Sequence, residues 1–363
     1  MGLAEHFSKT MPEADAKFAQ ACAQRGTTPT FIAHPLLGRA GERIQVGVAR
    51  LGSPTARNVL LVLSGEHGIE GYAGAGVQTA LLERGGFDLG DDCALLFVHQ
   101  INPWGCAWDR RENENNVDLF RNLTYSVKPS STDPLYGEID AALNLKAWTG
   151  AEREAADSRY RRLVQEHGLD RVVAAMRRGQ SDYPKGMTYH GAGPTWSKLV
   201  LDQILREHLQ GAARLFVLNL HTGFGAYGEG IIVCYEDADS RNFRMLERLF
   251  GQLYAPGADA SIPTHRDPLP WAFAAHVVPG LDVCMIAVEY GTRTDPESIL
   301  ISQGNLYFHM HDDPTGPEAV EIARRYRDIY YPEEDPWKEA VARRGLEVFD
   351  KSLAELKRLA ADR

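Results

Sequence analysis

Residues 58–74, NVLLVLSGEHGIEGYAG, decide how the chain is to be folded. Seven residues, Asn58 to Ser64, form a near-continuous apolar run, the pattern of a strand buried on both faces. The run stops at a glycine, and two metal-capable side chains follow, His67 and Glu70, three residues apart. A helix-like segment comes next, GAGVQTALLERG, 74–85. Working outward, RIQVGVARLG from 43, CALLFVHQINPWG at 93–105, LFVLNLHTGFG from 215, GIIVCYE at 230–236 and DVCMIAVEYGT at 282–292 read as further strands or strand–turn units. Helices are expected near 7–25, 197–210, 238–252, 317–329 and 336–360. Strands alternating with helices predict one α/β domain over 1–363, with a parallel or mixed sheet covered on both faces. Residues 127–194 interrupt that rhythm. They open on KPSSTDP, carry helices near 135–165 and 168–179, and end in a Gly-, Pro- and aromatic-rich loop, so they read as an insertion that serves as a lid, a subunit contact or a surface excursion. Residues 314–363 read as a helical C-terminal segment.

Composition narrows the function classes. Asp plus Glu exceed Lys plus Arg by 49 to 39, a formal charge of −10. An acidic chain without a polybasic run is a poor partner for a nucleic-acid backbone. No stretch reaches the length of apolar sequence that spans a membrane, and the amino terminus lacks the pattern of a secretory signal. Five scattered cysteines fit reduced, packed thiols, and with them a cytoplasmic location. The expected partner is a small molecule or short peptide, with self-association into a homo-oligomer left open.

Three strands end alike. VLLVLSGE leads to His67, LFVLNL to His221 and CMIAV to Glu289. Ligands in open α/β sheets sit beyond the carboxyl ends of the strands. Two imidazoles and a carboxylate are a common protein ligand set for catalytic zinc, so His67, Glu70 and His221 are the candidate ligands of one Zn2+. Glu66, beside His67, competes for the same role. Glu289 at a dry strand end is the candidate general base. Ser64 stands near a strand end, but SGEHG is not the nucleophile elbow of serine hydrolases.

INPWGCAWDRRENENNVDLFRN, 101–122, is too polar for a core strand. Its Asn and Asp side chains can bond the loop backbone and hold its shape. Arg110 or Arg111 would then stabilise a developing oxyanion, and Arg121 and Asn116 would hold substrate. In the loop PKGMTYHGAGPTW, 184–196, Tyr189 is a further candidate hydrogen-bond donor to substrate. His265 and His276 are left unassigned, and FHMHD, 308–312, reads as a surface turn.

SGEHGIEG, NPWG with NNVDLFRN, LNLHTG and VEYGT, taken in order over roughly 50–310, resemble the zinc metallocarboxypeptidase superfamily, and within it a bacterial branch. HTG also resembles the zinc-dependent acyl-amino-acid deacylases of the same fold. The resemblance implies a mixed, mostly parallel sheet of about eight strands with helices on both faces. It implies that His67, Glu70 and His221 bind zinc, that Glu289 is the base, and that Arg110 or Arg111 polarises the carbonyl. NVDLFRN departs from the family's VDLNRN: Phe120 stands where an Asn helps grip a terminal carboxylate, and Phe donates no hydrogen bond. The implied activity is hydrolysis of an amide bond in a small acylated amino acid or short peptide. Strict carboxypeptidase action, or a zinc-binding member without catalysis, are the alternatives.

Overall fold

The computed structural model describes residues 2–123, 132–255, 271–293 and 298–362. Seven strands form one sheet: β1 Thr30–Leu37, β2 Arg43–Gly52, β3 Asn58–Ser64, β4 Cys93–His99, β5 Arg214–Thr222, β6 Gly230–Cys234 and β7 Asp282–Tyr290. Their order is β1-β2-β4-β3-β5-β7-β6. The central four, β4, β3, β5 and β7, run parallel, and the outer pairings are antiparallel. A mixed, mostly parallel sheet between helices is thus what the chain forms.

The helices are α1 Met11–Gln24, α2 Gly71–Arg84, α3 Pro103–Ala107, α4 Leu119–Asn122, α5 Tyr136–Leu143, α6 Ala151–His167, α7 Leu169–Arg178, α8 Trp196–His208, α9 Arg241–Phe250, α10 Phe273–Val277, α11 Ser298–His311, α12 Pro317–Tyr330 and α13 Asp335–Ala361. Among the described residues no helix is long and apolar enough to cross a membrane.

Alternation along the buried strands feeds two apolar layers. Leu60, Val62, Leu218 and Leu220 face α1, α2 and α13, through Phe18, Leu81, Val341 and Phe349. Val59, Leu61, Leu63 and Val217 face α8, through Leu201, Ile204 and Leu205. Burying each such side chain is worth about 1.5–3 kcal/mol, so β3, buried at every residue, anchors the sheet. Helix α8 starts where Thr195 Oγ1 accepts a hydrogen bond from Lys198 N at 3.2 Å.

Topology places the site. From β3 the chain moves through α2 to β4 on one side; from β4 it passes α8 and returns to β5 on the other side of β3. Right-handed crossovers in opposite directions put α2 and α8 on opposite faces. The switch point lies between β3 and β5, where a crevice opens at the strand ends.

Three expectations change in detail. Residues 30–37 form an edge strand that the apolar pattern does not announce. The 127–194 segment carries three helices in its described part, with Ile139, Leu163 and Val172 packed with Leu306 of α11 in one cluster. FHMHD is the last turn of α11 rather than a surface turn, and His309 sits edge-on to Trp104 and Trp108. His265 lies outside the described residues, and His276 is at the end of α10. All five cysteines are buried and outside any disulfide.

Candidate metal centre and active site

His67 follows the end of β3 after Gly65 and Glu66, and a single helical turn, Gly68–Glu70, carries Glu70 round to the start of α2. The turn is pinned to the arginine loop by main-chain bonds: Gly68 N donates to Arg111 O at 3.1 Å and Ile69 N to Arg110 O at 2.8 Å. Gly68 is required by this approach, because a methyl group there would overlap the backbone of Gly105. His221 and Glu289 are direct partners across the parallel β5–β7 ladder. Strand pairing therefore sets the third candidate ligand and the candidate base side by side on one face of the sheet.

Ligand atoms of His67, Glu70 and His221 lie within 4.8 Å of one another, and all three residues are buried. His67 Nδ1 is 2.9 Å from Glu70 Oε1, and His221 Nδ1 is 2.8 Å from Glu70 Oε2. The opposite ring nitrogens face other carboxylates: His67 Nε2 is 3.4 Å from Asp118 Oδ1 and His221 Nε2 is 3.2 Å from Glu66 Oε2. Carboxylates in these places are where second partners of metal-bound imidazoles are expected. Glu66 is thus behind His221, held by Asn219 Nδ2 at 2.7 Å, and does not compete with Glu70.

Charge provides a second test of fit. Burial favours neutral groups, yet Glu70 is held well below the usual carboxylate range by the two imidazoles. Asp118 is likewise held down against burial by Arg111, Arg121 and His67. Burial and Arg111 oppose a proton on His67, but Glu70 and Asp118 prevail; burial opposes one on His221, but Glu66 and Glu70 prevail. Two imidazoles meeting one carboxylate are a donor set that suits a divalent cation. One donor atom from each of the three residues lies within 4.8 Å of the others, close enough for all three to hold one zinc ion.

Glu289 differs from the other acids. Burial and the neighbouring Glu70 push it up to about 7, while His221, His67 and Arg111 pull it back. Its Oε2 has no hydrogen-bond partner among the described residues.

The loop of 101–122 bonds to itself as expected. Asn102 Oδ1 accepts from Gly105 N at 3.0 Å, and Asn113 Oδ1 accepts from Asn115 N at 3.0 Å and Val117 N at 2.9 Å. The two adjacent arginines diverge. Arg110 donates to Asn305 Oδ1 at 3.0 Å and Asn116 Oδ1 at 2.5 Å and pairs with Glu112. Arg111 donates to Asp118 and reaches His67 Nε2 at 2.7 Å.

A cavity of about 650 Å3 opens over the cluster, lined by His67, Glu70, His221, Glu289, Arg110, Arg111 and Arg121, and also by Phe120, Tyr235, Tyr326 and Tyr330. Two candidates lie off its lining. The Asn116 amide donates to Pro184 O at 3.0 Å and Gly186 O at 2.8 Å, bracing one loop against the other. Tyr189 is buried behind the site, and its carbonyl accepts from Asp118 N at 2.8 Å. Ser64 is also off the lining; its hydroxyl donates to Gln78 Oε1 and accepts from Gln100 N. Sequence reasoning passed over Asp118, although a carboxylate set among Arg110, Arg111 and Arg121 was the signal for it.

In fold the chain is similar to carboxypeptidase A from Helicoverpa armigera, with 13% identity over 88% of this chain and 73% of that one, at a TM-score of 0.42. Murein-tripeptide amidase from Escherichia coli O157 gives 15% identity over 82% and 91%, at 0.32. The ectoine utilization protein EutE from Ruegeria pomeroyi gives 12% over 78% and 67%, at 0.36. No curated protein matches the sequence. Residues 7–344 match the family described as "Protein of unknown function (DUF2817)", and the chain belongs to that family.

Proposed function

We propose that the protein is a zinc-dependent hydrolase that cleaves an amide bond in a small acylated amino acid or short peptide. The observation that carries this reading is the pairing of His221 with Glu289 across β5 and β7, which sets a carboxylate with an unpartnered oxygen beside the His–Glu–His cluster. His67, Glu70 and His221 would hold one zinc ion, which when bound polarises a carbonyl and acidifies a water.

The chain's own groups supply the rest. Glu289, raised to about 7, is poised to take a proton from the attacking water near neutral pH and return it to the leaving nitrogen. Arg111 stays charged beside Asp118 and donates to the oxyanion that develops on the former carbonyl oxygen. Phe120 and Tyr235, with ring centres 5.5 Å apart, give the site an apolar wall. A cavity of about 650 Å3 suits a small ligand. Helices α6 and α7 close one side of it through Tyr160, Val164, Val173 and Met176, which favours small substrates over an extended polypeptide.

The test is an assay of the zinc-loaded protein on N-acyl amino acids and dipeptides, following the released amine. Hydrolysis is expected and should stop with a chelator. Arg111→Met should lower kcat about 10²–10³-fold, the cost of one oxyanion donor. Turnover that survives complete removal of metal contradicts the reading.

A further inference from the structure

The cavity has a polar end, at His67, Glu70, His221 and Glu289, and a second end walled by the inserted helices and α11. Hydrogen bonds fix the direction of α7. Arg121 donates Nη1 to Asp118, which faces His67, and Nη2 to the Arg177 carbonyl, so the C-terminal end of α7 is tied to the candidate metal cluster. Leu169 begins the helix, about 12 Å from Arg177 at a rise of about 1.5 Å per residue. Leu169, Val173 and Met176 line the cavity from one face of α7, while Val172 and Ala175 turn the other way into the core shared with α5 and α11. Tyr160 and Val164, one turn apart on α6, and Ile299 and Leu306 on α11 complete the walls.

These walls offer a ligand few polar partners. A helix bonds its interior N–H and C=O groups to itself. The polar side chains that join the lining here are engaged within the protein: Ser302 Oγ donates to Ser298 O at 2.8 Å, Arg161 Nη2 donates to Ser158 Oγ at 3.1 Å, and Thr188 Oγ1 lies 2.7 Å from both Met176 O and Met187 O. A peptide threaded through the chamber would lose its hydrogen bonds to water without replacement, a cost that a hydrocarbon chain does not carry.

An acylated amino acid divides in the same way. Its amide and its amino-acid half carry the polar groups and belong at the polar end; beyond the carbonyl, the acyl chain has none. We propose that the chamber between α6, α7 and α11 takes the acyl chain, so that the substrates are amino acids carrying a medium-length hydrocarbon acyl group rather than acetyl. The assignment rests on the hydrolase reading for placing the amide at the metal; the binding of the chain does not require turnover.

The experiment is calorimetry on the zinc-loaded Glu289→Gln protein with N-acetyl-, N-butyryl-, N-hexanoyl- and N-octanoylglycine. Each added methylene should tighten binding about threefold, so the octanoyl compound should bind at least about 100-fold more tightly than the acetyl one. Val173→Trp, which fills the chamber, and Val173→Asp, which puts a charge on its wall, should each cut that gain to about tenfold or less, while N-acetylglycine, too short to reach them, binds as before. An affinity that does not rise with chain length, or a rise that survives both substitutions, overturns the assignment. It also falls if N-acetylleucylglycine or N-acetylphenylalanine gains as much over N-acetylglycine and loses it in the same variants, since the chamber would then take a peptide or a side chain. If the wild type hydrolyses none of the series while the rise persists and is lost in the Val173 variants, the acyl chamber stands and the hydrolase reading fails.

Discussion

Glu289→Gln is expected to lower kcat by about 10³-fold, within the 10²–10⁴ range of a positioned general base, while metal content and KM change little. The expectation follows from position. Glu289 is paired in register with His221 but is not one of the three converging candidate ligands, so removing its charge should spare a bound metal. Gln keeps the shape and loses the proton acceptor. Its partners cannot substitute: Glu70 is occupied by both imidazoles and Glu66 by Asn219 and His221. Steady-state kinetics with metal analysis on the same sample decide the matter. A rate within tenfold of wild type would remove Glu289 from the chemistry, and loss of the metal would make it a ligand.

The largest effect on stability should come from Asp118→Asn. Asp118 is fully buried, receives hydrogen bonds from both Arg111 and Arg121, and faces His67 Nε2. Without its charge, two guanidiniums lose the buried partner they share, and breaking a buried ion pair from one side costs about 3–5 kcal/mol. The same substitution removes the acid that orients His67, for which a loss of about 10–100-fold in metal affinity is typical. Denaturant unfolding and metal titration measure the two effects separately. A stability loss under about 1 kcal/mol would mean that the arginines find other partners and that Asp118 does not organise the site.

Much of this was legible because the sheet is buried. The run Asn58–Ser64 reads as a strand since every residue in it is inside, and the polar residues that end β3, β5 and β7 mark the crevice. Strand β1 escaped notice for the opposite reason: it is a largely exposed edge, interrupted by His34 and Pro35, with no apolar alternation. Helix α11 escaped because its middle, Gln303 to Phe308, is buried all round and shows no single apolar face. Adjacent residues were the hardest to separate. Glu66 and Glu70, or Arg110 and Arg111, differ in which way the backbone turns them, and only the pinned turn at Gly68–Ile69 settles that Arg111 meets His67. Tyr189 and Asn116 lie close in the chain to candidate site residues yet hold the loops together from behind.

The account depends on one divalent cation bound jointly by His67, Glu70 and His221. Its most direct test is the metal content of protein purified without added metal or chelator, by plasma emission spectrometry, for the wild type beside His67→Ala and His221→Ala. About one zinc per chain in the wild type and little in either variant is the predicted result. A wild type without divalent metal that also fails to take up added zinc, or variants that keep a full complement, would contradict it.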